Sequence, residues 1–544
     1  MKNLLSQSLI KATAVSLMAL FSCQNFLKED PKNLITEKDI PQTVEGARTL
    51  AYSTYDNWVE GTGLYSRWMY MWDVGTDDMS SFHFLQSIVD TYVLHNVSSQ
   101  EPFMYQGIWT PLWSGVAKCN KALEVIEQMS IPEEDQVELE AIIGEIRTMR
   151  ALYFYHLVRM WGDVPYVDET LNKLSDITEI ERSPVQEIYE GIIIPDLEAA
   201  IEVLPNSYSN EMLGRVSKAS AQVILAEVYL TMAGWRKDAT GTMVKGNSEY
   251  YKNAMDAAYA VINNEGGYDI ITQGIGDSPA YAMPWENSFS TESLVEFGAM
   301  AGGTDGLYVV TESAVNSNNL FWGQGQLQQF NGAKRGWYVP TPDLFRAFEE
   351  GDQRKDFGML TKTIMANGLE GFSNPVFRKW SDPRIYKGVD GALNHDGDIN
   401  LILYRVADAL LIYAEAANEV NGGPTADAYT QINRLRNRAG LENLQEGLSQ
   451  EDFRLAVWQE RRVELHGECK RKFDLVRQNR LKEMADNRDV YYTSADNPEW
   501  KLNVERDSIL VTYEPVPYPR HEYIWPIPAE ELTLNANWDQ NSGY

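Results

Sequence analysis

The chain has 544 residues, of which 44% are hydrophobic and 23% charged, and its net charge is −31. One hydrophobic core rarely holds so much chain, so two lobes, or one large helical domain with an irregular lobe, are expected. The acidity excludes nucleic acid as a partner, because binding it requires a positive field.

The N-terminus carries Lys2 and Lys11 and then an apolar run from Ala12 to Phe21. The run is too short to span a bilayer and has the shape of a signal peptide. It ends in Leu20-Phe21-Ser22-Cys23, which resembles a bacterial lipobox. That resemblance implies that residues 1–22 are a lipoprotein signal peptide and that Cys23 is lipidated. The alternative is an ordinary signal peptide with a coincidental cysteine. Residues 23–42 are polar, with Pro31 and Pro41 discouraging helix, and form a tether. The expected relation to the membrane is anchoring, without a spanning segment.

An all-α, TPR-like array of helical pairs is predicted for 43–262. Ala47, Leu50, Ala51, Thr54, Tyr55 and Trp58 form one stripe at helical spacing, and Trp109, Leu112, Trp113, Val116 and Leu123 form a second. Trp109 and Trp113 are therefore assigned to core. A third helix runs over 135–161 and stops at Gly162, with Pro165 beyond. Pro184 opens a helix over 184–203, Ser217 caps the next, and Tyr251–Ile262 follows. The strict 34-residue TPR consensus is absent.

From 263 to 400 the periodicity gives way to Gly, Ser, Asn, Pro and aromatics, which predicts a large irregular, loop-rich lobe. Helices return over 401–480, at Val406–Val420, Ala426–Ala439 and Asp452–Leu465. Ser449 and Asp452 make a capping-box-like start for the last of these. The tail, 481–544, is Pro-rich from Tyr513 to Tyr544 and is expected to lie on the surface. Cys119 and Cys469 are read as small buried residues without a bridge.

Several of these segments resemble the SusD/RagB family when taken together. They are Glu145-Ile146-Arg147-Thr148-Met149-Arg150 leading to Trp161-Gly162-Asp163-Val164-Pro165; Tyr404-Arg405-Val406-Ala407-Asp408 with Ile432-Asn433-Arg434-Leu435-Arg436; Glu460-Arg461-Arg462-Val463-Glu464-Leu465 with Lys472-Phe473-Asp474; and the closing Trp525-Pro526-Ile527-Pro528. Asn25-Phe26-Leu27 beside Cys23 also looks like the start of such proteins. Read bottom-up, every one of these segments is structural: helix faces, buried arginine–carboxylate pairs and caps. The resemblance implies an outer-membrane lipoprotein on the extracellular face. It would capture an oligosaccharide or, in some members, a peptide. It would pass the ligand to a SusC-like TonB-dependent barrel and catalyse nothing.

Sugar recognition needs flat apolar faces for C–H groups and polar side chains for hydroxyls. Two stretches supply both. The first, Tyr65–Phe84, offers Trp68, Tyr70, Trp72, Asp77, Phe82 and His83. The second, Asn316–Tyr338, offers Asn319, Trp322, Gln324, Trp337 and Tyr338. The competing reading places Trp68 and Trp72, four apart, in a core stripe. Trp322 lies among Asn, Gln and Gly with no apolar period, which favours ligand contact. No metal site or cofactor is expected. Asn394, Asp396, Asp398 and Asn400 lack the closing glutamate of a calcium loop, and Gly323-Gln324-Gly325 follows no strand. A surface glycoside hydrolase and a peptide-binding adaptor are the alternative functions.

Overall fold

The computed structural model describes residues 40–59, 64, 70–81, 89–209, 212–298, 338–364, 370–379, 400–493, 495–496, 508–510, 516–519 and 523–544. Helix makes up 55% of the structure and the strands are few and short. The longer helices are α1 (Val44–Ser53), α2 (Thr110–Glu127), α3 (Gln136–Trp161), α4 (Ile194–Val203), α5 (Lys218–Ala233), α6 (Tyr250–Ile262), α7 (Val406–Asn421), α8 (Ala426–Arg438), α9 (Gln450–Glu464) and α10 (Arg471–Arg477). The strands that matter below are β1 (Met79–Ser81), β2 (Ser293–Phe297), β3 (Tyr338–Pro340), β4 (Met359–Ile364), β5 (Glu370–Phe377) and β6 (Leu401–Arg405).

The predicted array is present. α2 packs on α3, α3 on α4, α4 on α5 and α5 on α6, and α6 then packs directly on α7. The lobe between residues 263 and 400 is thus inserted between two consecutive members of one helical stack. Local chemistry sets the helix ends. Ser217 caps α5, Ser449 accepts the Asp452 amide at the start of α9, and Gly422 ends α7 with φ +67°. The helix predicted over 184–203 contains a wide π turn at Tyr189–Ile193. Pro195 explains it, because a proline offers no amide to the carbonyl four residues back. That carbonyl, of Gly191, accepts the Tyr166 hydroxyl at 3.0 Å instead.

Two expectations need correction. Residues 401–405 begin the second helical region as a strand: β6 pairs antiparallel with β2, and all five of its residues are buried. The tail is also not confined to the surface. The Trp525 amide donates to the Met160 carbonyl at 2.6 Å, and Trp161 Nε1 donates to the Pro526 carbonyl at 3.0 Å. Asn541 Nδ2 bonds both the Trp161 and Trp525 carbonyls. Trp525 and Ile527 are buried, so the tail closes the C-terminal end of α3. Alternation with proline hid an apolar plug. Cys119 and Cys469 are free and buried, as expected.

A web of buried charge ties the insertion to the helices. Glu464 on α9 accepts from Arg354 at 3.0 Å, from Arg405 at 2.6 Å and from Arg438. Glu292 pairs with Arg405 and Arg438, and Glu468 with Arg405 and Lys379. Charges this deep persist only when every one is paired.

Candidate ligand-binding site

The two aromatic stretches meet. β1 and β3 form an antiparallel ladder with Met79 opposite Pro340, Ser80 opposite Val339 and Ser81 opposite Tyr338. Because the ladder is antiparallel, the chain leaves Ser81 towards Phe82-His83 at the same end at which it arrives at Tyr338 from Trp337. Segments more than 250 residues apart in sequence therefore open from one point.

The ladder stands on a rigid base. Met79, Ser80 and Val339 are almost fully buried. The Thr341 amide donates to the Asp78 carbonyl at 3.0 Å, and the Thr341 hydroxyl donates to the Asp77 carbonyl. Arg471 binds the Asp77 carboxylate with Nε at 2.9 Å and Nη2 at 2.7 Å, while Arg462 donates to Asp78 at 2.6 Å. Burial alone would raise the Asp77 carboxyl, but Arg471 and Arg462 draw it below the usual carboxylate range; burial pushes its neighbour Asp78 up. Burial also pushes Asp73 up to about 7, although the Lys472 amide donates to it at 2.9 Å. Arg488 donates to the Gly75 carbonyl at 2.6 Å. Gly75 has φ +87°, and a Cβ there would sit 2.6 Å from both the Tyr92 carbonyl oxygen and His95, so glycine is required at this turn.

This geometry reassigns two of the predicted ligand contacts. Trp72 is 1% exposed, with its ring 5.0 Å from His156 and edge-on to Phe473 at 5.4 Å. Its ring belongs to the core. Asp77 is also 1% exposed and is saturated by arginines. Both are foundations, buried beneath the base, and present nothing to a ligand. Tyr70 lies in a short helix and Tyr338 in β3. Cys23, Trp68, Phe82, His83, Asn319, Trp322, Gln324 and Trp337 lie outside the described residues, as does the calcium-like stretch apart from Asn400. The sequence reading missed Arg462, Arg471, Arg488 and Thr341 as positioning residues. Basic clusters in so acidic a chain were the available signal. Among the described residues, no three His, Cys, Asp or Glu side chains could hold a metal ion. Nor is any described helix long and apolar enough to cross a membrane.

Two family models cover most of the chain. One, described as the SusD family, matches residues 291–544; the other, described as starch-binding associating with outer membrane, matches residues 26–230. The chain is SusD-like. The SusD-like protein P2 of Formosa agariphila is 29% identical over 466 residues, covering 81% of each chain. The starch-binding protein SusD of Bacteroides thetaiotaomicron is 23% identical over 442 residues, covering 74% of this chain and 72% of that one. The crystal structure of a SusD homolog from Bacteroides thetaiotaomicron superposes with a TM-score of 0.75 at 21% identity, covering 93% of this chain and 98% of that one. This SusD-like chain therefore shares that homolog's helical fold over 93% of its length.

Proposed function

We propose that this SusD-like protein captures an oligosaccharide at the cell surface and hands it to a SusC-like TonB-dependent barrel, without catalysing a reaction. The observation that carries the reading is the β1–β3 ladder, which draws two stretches rich in aromatics and amides to one point on a base fixed by buried ion pairs. Phe82 and His83 follow Ser81 directly, and Trp337 precedes Tyr338. Trp322, Asn319 and Gln324 belong to the same second stretch. Such groups suit the C–H faces and hydroxyls of sugars. The starch-binding description of one matching model and of one relative supports a glycan over a peptide.

In this reading Cys23 carries the lipid and holds the protein to the outer face of the outer membrane. A screen of the mature chain against polysaccharide and peptide panels tests the capture step. Saturable glycan binding without released reducing ends is expected. Binding confined to peptides, or reducing ends appearing with time, contradicts the reading. Purification from native membranes in mild detergent should bring down a large TonB-dependent barrel, and recovery of the protein alone counts against the hand-over. Cys23→Ala, in cells lacking that barrel, should leave the membrane fraction.

A further inference from the structure

A second concave surface is built from elements that take no part in the ladder: α2, the segment 165–180 and the short C-terminal helix Ala529–Leu534. It encloses about 330 Å³. Three tryptophans form its walls. Trp109 donates to Glu531 Oε1 at 3.0 Å, and Trp538 donates to the Ile180 carbonyl at 2.7 Å. Trp113 is wedged between Trp109 and Phe154, with ring centroids at 5.8 Å from each. Its Nε1 and Asn535 Oδ1 are both buried and unpaired among the described residues.

The mouth is apolar where a surface is normally polar. Leu534 is 43% exposed and Ile177 38%, and Leu174, three residues before Ile177 on the same helical turn, is 70% exposed. Contiguous exposed apolar groups rimmed by polar ones mark interaction sites. The lining holds two carboxylates, Glu169 and Glu531, and no basic side chain.

We propose that this pocket docks a segment of a partner protein, which inserts one aromatic or long aliphatic side chain flanked by lysine or arginine. The anchor fills the tryptophan walls. The flanking cations meet Glu169 and Glu531, which supplies charge complementarity.

The full mature chain is titrated by calorimetry with the probe acetyl-Lys-Trp-Lys-amide. Saturable binding is expected, at least tenfold tighter than for acetyl-Glu-Trp-Glu-amide. Ala117 lines the pocket from the exposed side of α2, and Ile177 from its rim. Ala117→Trp, which plugs the pocket, and Ile177→Lys, which repels the cations, should each weaken the probe tenfold or more with the melting temperature unchanged. No binding at millimolar probe overturns the proposal. So does equal affinity for the two peptides, or affinity that neither substitution alters. Methyl glucoside binding that both substitutions abolish would make this a sugar site and overturn it equally.

Discussion

Asp77→Ala removes the central anion of the ladder's base. In the intact protein, Arg471 grips Asp77 through two hydrogen bonds and Arg462 lies 3.1 Å from the same carboxylate. All three side chains are almost fully buried. Without Asp77, two guanidiniums share Asp78, which Arg471 Nε approaches only to 3.7 Å. Breaking a buried pair by deleting one partner costs about 3–5 kcal/mol, because the stranded charge has lost its hydration and its counter-ion. For a chain of this size, that is a fall of roughly 3–5 °C in melting temperature. Urea unfolding followed by tryptophan fluorescence measures it. Replacing the pair together, as Asp77→Ala with Arg471→Met, should recover much of the loss, because no unpaired charge remains on Arg471. A loss below about 1 kcal/mol in the single variant would refute the assignment of Asp77 to the foundation.

Trp322→Ala should leave the melting temperature unchanged and weaken oligosaccharide binding by about 1–3 kcal/mol, roughly ten- to a hundred-fold; a strongly destabilised variant would return this ring to the core. Burial raises the Glu468 carboxyl, but Arg405 and Lys379 pull it down further, to about 2, and Arg461 and Arg477 do the same for Asp474. Both folded values lie below the unfolded ones of about 4, so their contribution is present above pH 4 and is lost as pH falls towards 2. Acid titration of stability should show that loss, and a flat profile between pH 4 and 2 would contradict it. Gly115→Ala should cost about 1–3 kcal/mol by overpacking. Its Cβ would lie 2.3 Å from the Tyr153 ring, which is stacked on Trp58 and cannot retreat. A neutral effect in thermal unfolding would show that α2 and α3 can slide apart.

The helical array was readable because its signals are local. Apolar spacing in α2 and α3, the Ser217 and Ser449 caps and the Gly422 stop each act within one turn of helix. The meeting of β1 and β3 was not readable. A three-residue strand carries almost no period, and its partner lies more than 250 residues away. Both aromatic stretches were found by composition, but composition does not separate a ring that faces solvent from one that faces a core. Residue type alone makes Trp72 and Asp77 look like ligand contacts, but His156, Phe473, Arg462 and Arg471 claim them instead. The tail misled for a related reason. Trp525-Pro526-Ile527-Pro528 reads as a surface strap because proline forbids helix, yet its two apolar side chains fill the end of α3. Pocket walls assembled from α2 and residues beyond 529 are likewise invisible in either segment alone.

In the proposed function, the two stretches leaving the β1–β3 ladder form one sugar site. Hydrogen–deuterium exchange of the mature chain, with and without the tightest-binding oligosaccharide of the panel, tests it most directly. Slowed exchange is expected in peptides spanning 82–88 and 299–337 together, with the amides of α2 and α7 unchanged. Protection confined to other regions, or to only one of the two stretches, would contradict it.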